Sequence, residues 1–121
     1  MELLPKEIED TLPTLYSTEH IIINNKILHI RYISIFSNWE WYVIEYDKET
    51  KTFFGYVKGF ENEWGYFSLQ EFEELNNDNL QIIRDESFTT ITLLDSKNYN
   101  TKRAKGETDR NIQNLSISLS R

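Results

Sequence analysis

Four carboxylates, Glu45, Asp47, Glu61 and Glu63, come nearest in this sequence to residues whose type and spacing could do chemistry. Glu45 and Asp47 are two apart, which on a strand places them on one face, and Glu61 and Glu63 fall at a nearby turn. Acids gathered there would offer the hard oxygens a divalent cation takes, or an acid and base pair for hydrolysis. The spacing permits this without diagnosing it. Acids make up 20 of 121 residues, so chance neighbours are expected, and solvated carboxylates at strand ends account for them equally well. Glu45 differs in sharing the phase of Trp41 and Val43, which should draw it partly inward. His20 and His29 would ligate a metal only if the first two strands brought them together, and a strand-surface or capping role fits both. Ser68 is explained by its surroundings as a helix cap. Gly55, Gly59, Gly65 and Gly106 are too scattered for a phosphate loop. With no Cys there is no disulfide, thiolate metal site or Cys nucleophile. The sequence thus assigns no catalytic residue, metal or cofactor, and leans away from an enzyme.

Aromatic side chains are the more conspicuous resource. Of 17, 14 lie between Tyr32 and Phe72, including all three tryptophans, Trp39, Trp41 and Trp64. Large rings mostly serve packing. Yet the segment from Trp39 to Asp47 is apolar in both phases, with Trp39, Trp41 and Val43 in one and Tyr42, Ile44 and Tyr46 in the other. A strand wet on one side would show a polar face. Either a helix and the N-terminal segment cover the second face, or part of it is a groove for a partner. The candidate partner-binding residues are therefore Trp39, Trp41, Glu45, Asp47, Glu61, Glu63 and Trp64.

The elements that must position them follow from periodicity and turn chemistry. Leu4 to Asp10 reads as a helical turn or two, with Pro5 near its start and Pro13 ending it. Strands are expected over Ile21–Ile23 and Ile27–Phe36, then over Trp39–Asp47, Thr52–Phe60 and Trp64–Phe67. Their connections are too short for crossovers and predict antiparallel pairing. Ser68-Leu69-Gln70-Glu71 has the form of a capping box, with Phe67 and Phe72 where a hydrophobic staple belongs. It predicts a helix over about 69–75, with Leu69, Phe72 and Leu75 facing the sheet and the Asn76–Asn79 cluster ending it. Leu80–Arg84 reads as a last core strand, while 89–95 fits strand or helix. The fold class is α+β: a curved antiparallel meander of about five to six strands, one short helix and a short N-terminal helical turn.

Charge divides the chain. Residues 1–95 carry 7 basic against 18 acidic side chains, a net −11, and residues 96–121 carry 6 against 2, a net +4. The first span is read as a single acidic domain. The second is read as a polar, basic, loosely docked tail, with a patch at Lys102-Arg103-Ala104-Lys105. Nucleic acid is an unlikely partner for a body so short of the cations that neutralise phosphates, and a possible one for the tail. The first residues lack the basic, apolar pattern of a signal peptide, and no run is apolar enough to span a membrane, so no membrane partner and a cytoplasmic location are expected.

A resemblance rests on Leu12-Pro13, Leu15-Tyr16, Thr18-Glu19 and Ser37-Asn38-Trp39-Glu40-Trp41-Tyr42. It continues through Glu45-Tyr46-Asp47, Phe53-Phe54-Gly55, Gly59-Phe60-Glu61, Gly65-Tyr66-Phe67-Ser68-Leu69 and Ile83-Arg84-Asp85 to Phe88. Over about residues 12–88 the chain resembles the domain-of-unknown-function family 2958, small bacterial proteins of plasmids and other mobile elements. The resemblance implies that setting but brings no catalytic residues with it. The expectation is a noncatalytic binding or accessory protein of a bacterial mobile element, acting through an aromatic and acidic surface on a protein partner. The alternatives are a divalent-metal-dependent hydrolase using the clustered carboxylates, and an acidic nucleic-acid mimic that inhibits a host defence or DNA-binding protein.

Overall fold

The computed structural model describes residues 2–97. Four consecutive strands, β2 (Ile30–Ser34), β3 (Glu40–Asp47), β4 (Thr52–Lys58) and β5 (Asn62–Ser68), form an antiparallel meander. The helix α2 (Leu69–Leu75) carries the chain back across the sheet to β6 (Ile82–Arg84), which pairs with β2, so the order is β5-β4-β3-β2-β6. A second, two-stranded sheet joins β1 (Ile27–Leu28) to β7 (Ile91–Thr92). The segment expected as one strand over Ile27–Phe36 is thus split at His29 between two sheets.

Helix α2 has the bounds its capping residues imply. The Ser68 hydroxyl accepts the Glu71 amide at 3.1 Å, and the Phe67 and Phe72 rings meet at 5.9 Å as a staple. Leu69 and Phe72 are buried, but Leu75 is 47% exposed. The helix ends there because Asn76 turns its side chain to the next strand, accepting from the Gln81 and Ile82 amides and donating to the Ile82 carbonyl. The expected strand at Ile21–Ile23 is instead a turn leading into a 3-10 turn at Ile23–Asn25, with Ile22 and Ile23 exposed for want of a neighbouring strand. The open choice at 89–95 resolves into both forms: residues 91–92 are strand and 93–97 are helical, so the boundary expected at 95 falls inside a helical segment. The basic patch and the rest of the tail lie outside the described residues.

Each face of the main sheet has its own core. On one side the N-terminal helix α1 (Lys6–Glu9), its flanking residues and α2 cover Ile30, Tyr32, Val43, Tyr46 and Phe53. On the other, β1, β7 and Leu93 cover Tyr42 and Ile44, leaving Phe54, Tyr56 and Trp64 at the margin. A bulge in β3 decides which residue goes where. Val43 pairs with Gly55 and Glu45 with Phe54, so Ile44 is the extra residue. The bulge reverses the phase beyond it: Tyr46 joins Trp41 and Val43 on the helix-covered side, and Glu45 joins Tyr42 on the other. The phases assigned from simple alternation are corrected accordingly. Gly55 makes this possible, because a Cβ there would lie 1.8 Å from the Tyr42 carbonyl oxygen.

Candidate functional site

The predicted partner-binding residues fall into three places. Trp39 and Trp41, with rings 5.9 Å apart, sit toward the helix-covered face; Trp41 packs edge-on to Phe72, and Trp39 edge-on to Phe60 at 5.5 Å. Glu61 and Glu63 are exposed at the β4–β5 hairpin beside Phe60. Asp47 lies at the other end of the sheet, where it caps a turn by accepting from the Glu49 amide and the Thr50 hydroxyl; that hydroxyl is the main influence holding its carboxyl below the usual carboxylate range. Asp47 pairs with Thr52 and Glu63 with Val57, so five strand residues, roughly 17 Å, separate the two acids along β4. The four carboxylates do not converge. Among the described residues no group of three or more His, Asp or Glu is placed to hold a metal ion.

Glu45 and Trp64 are brought together instead, at a cavity of about 320 Å³ on the face opposite α2. Phe54 and Trp64 stack at 6.2 Å with Tyr66 beside Phe54 at 5.2 Å, so β4 and β5 supply a continuous aromatic wall. Its opposite side is the run of turns over residues 15–20, which contributes Tyr16 and Glu19; Ile23 and Lys26 complete the lining. That run is fixed to the sheet by Glu45. The carboxylate, only 3% exposed, accepts the Tyr16 amide at 2.8 Å on one oxygen, and the Thr18 amide at 3.0 Å and the Thr18 hydroxyl on the other. All three donors are neutral, which suits a charged acceptor without cancelling its charge. The Lys26 ammonium stands one step away, donating to the Thr18 carbonyl at 2.6 Å and the Thr18 hydroxyl at 3.3 Å. Tyr16 is held at φ 70°, a left-handed conformation unusual for an aromatic residue.

The Tyr66 phenol pKa is raised, first by its hydrogen bond with Tyr16, then by burial and by the nearby charges of Glu45 and Glu19. Of these lining residues the sequence reading singled out Glu45 and Trp64 alone. The period-2 placement of Phe54 with Tyr56, and of Trp64 with Tyr66, was the available signal for the aromatic wall. Nothing local marks Tyr16 or Lys26, whose roles depend on contacts 29 and 8 residues away in sequence.

Two further features share that face. Arg31, which pairs across the strands with Tyr42, has its Nε 3.1 Å from Glu40 and its Nη1 2.8 Å from Asp85, while the Tyr42 hydroxyl donates to Glu40 at 2.8 Å. Arg31 and Glu40 are both buried, so this network ties β2, β3 and the turn after β6 together, and the sequence reading missed it. Beside it a cavity of about 370 Å³ is lined by Tyr42, Tyr56, Lys58 and Lys97 among others, with burial pushing the Lys58 pKa down. No helix among the described residues is long and apolar enough to cross a membrane. Comparison with protein-family models, curated proteins and solved structures finds no match for this chain.

Proposed function

We propose that this chain is a noncatalytic binding protein that engages a protein partner through an aromatic and acidic surface at the hairpin end of its sheet. The observation that carries the reading is Phe60, 95% exposed at the β4–β5 turn, with Trp39 set edge-on against its ring and Glu61 and Glu63 on either side of Asn62. Phe36 is exposed in the β2–β3 hairpin, which opens at the same end of the meander. Two solvent-facing rings on neighbouring hairpin tips, backed by a half-buried tryptophan, resemble the anchors that dominate protein interfaces. Glu61 and Glu63, together with the net −11 of residues 1–95, favour a partner with a basic rim. The resemblance of residues 12–88 to the domain-of-unknown-function family 2958 adds a bacterial mobile-element setting to this proposal and rests on the residue pattern alone.

The test compares proteins retained from host lysate by the immobilised wild-type chain, Phe60→Ser and the double variant Glu61→Lys/Glu63→Lys. All the altered side chains are exposed, so the fold should persist. A partner retained by the wild type and lost in both variants supports the reading. Equal retention by all three refutes it.

A further inference from the structure

We propose that the cavity between the β4–β5 wall and the 15–20 turns is a binding site for an alkylammonium cation, of the kind carried by a lysine side chain or by a choline-like amine. This site is separate from the hairpin surface, and its chemistry follows from its lining. Phe54, Trp64, Tyr66 and Tyr16 present aromatic rings, whose faces attract a cation and whose apolar bodies accept its alkyl groups. Glu45 at the base and Glu19 at the margin give two negative charges against one positive charge on Lys26. Lys26 also lines the cavity, but its ammonium is engaged by the Thr18 carbonyl and hydroxyl, and the Glu45 carboxylate takes its hydrogen bonds from the Tyr16 amide and the Thr18 amide and hydroxyl. A buried carboxylate held by neutral donors projects more field than one in water, so a cation entering beside Glu45 gains more there than at the surface. A neutral or anionic guest has no such gain.

The backbone supplies an independent sign. Tyr16 adopts φ 70° although it is not glycine, and its amide is the donor that meets Glu45. Strain of this kind persists where surrounding contacts over-determine it, and its effect here is to set the Tyr16 side chain beside Tyr66 across the cavity. The two phenols thus meet at the cavity, whose volume of about 320 Å³ admits a compact head group.

Tetramethylammonium and choline, titrated into the full chain and followed by aromatic carbon-proton NMR, test the proposal. The neutral isostere 3,3-dimethylbutan-1-ol serves as control. Saturable shifts are expected at Phe54, Trp64, Tyr66 and Tyr16 and not at Phe60, with the alcohol binding at least about fivefold more weakly. Tyr66→Ala removes a ring that is 57% exposed and should leave the fold intact while weakening choline about fivefold. Glu19→Gln should weaken it too and flatten its salt dependence. No saturable shift, or equal binding of cation and alcohol, overturns the site. A trimethyl-lysine peptide run beside choline separates the sources: tighter peptide binding assigns the cation to a protein chain, and equal binding assigns it to a free amine. Because Phe60→Ser leaves this cavity untouched, loss of partner retention with normal choline binding separates failure at the hairpin surface from failure here.

Discussion

Replacing Glu45 by Gln tests whether the buried carboxylate organises the candidate cation site. Its two oxygens accept from Tyr16 N, Thr18 N and Thr18 Oγ1. An amide has one acceptor oxygen, so its best orientation keeps the Thr18 pair and turns its NH₂ against the Tyr16 amide. That strands one part-buried donor, at about 1–3 kcal/mol, and converts two charge-assisted bonds to neutral ones, losing roughly 0.5–1 kcal/mol each. The cheaper burial of a neutral group returns part of this, leaving a net cost of roughly 2–4 kcal/mol. At about 4 °C of melting temperature per kcal/mol for a domain of this size, Glu45→Gln should melt about 8–16 °C below wild type. Circular dichroism melts and urea titration at neutral pH measure this. Glu63→Gln, exposed at the hairpin, is the control and should fall within about 0.5 kcal/mol of wild type. A Glu45→Gln melt within about 3 °C of wild type would show that the carboxylate does not hold the 15–20 turns, and the geometry argued for the cavity would fall with it.

Gly55→Ala should cost about 3 kcal/mol or more, because its Cβ would meet the Tyr42 carbonyl oxygen at 1.8 Å and backbone must move. Gly65→Ala, with nothing within 4 Å of the new atom, should be near neutral, and similar urea midpoints for the two would refute the close-approach argument. Ser68→Ala should lose about 1 kcal/mol by removing the acceptor for the Glu71 amide, read as a shifted urea midpoint with an unchanged slope. Burial holds the His29 pKa below its ordinary 6.5, so the unfolded chain takes up a proton first as pH falls. The stability this group contributes is therefore full above 6.5 and is lost as pH drops toward its folded pKa; His29→Gln should flatten the melting temperature between neutral pH and about 5, and an unchanged slope would contradict the assignment.

Local signals in the sequence were sufficient where the physics is local. The Ser68 cap, the Phe67 and Phe72 staple and the asparagine cluster delimit α2 because each acts within a few residues, and short polar links between β-patterned runs dictate an antiparallel meander. Composition likewise excluded disulfides and showed the acidic balance. Leu75 and the Ile21–Ile23 run went the other way, since whether an apolar residue is covered depends on what packs above it. The bulge at Ile44 is the sharpest case. It inverts the side-chain phase of β3, moving Glu45 onto the face with Trp64 and Tyr46 onto the face with Phe53, and it depends on the missing Cβ of Gly55 in the neighbouring strand. The sequence by itself determined the residue types available for a site and the elements that carry them. Only the tertiary structure decided which share a surface, because a one-residue shift in strand register exchanges the two faces of a sheet, and that register is set by backbone contacts between segments distant along the chain.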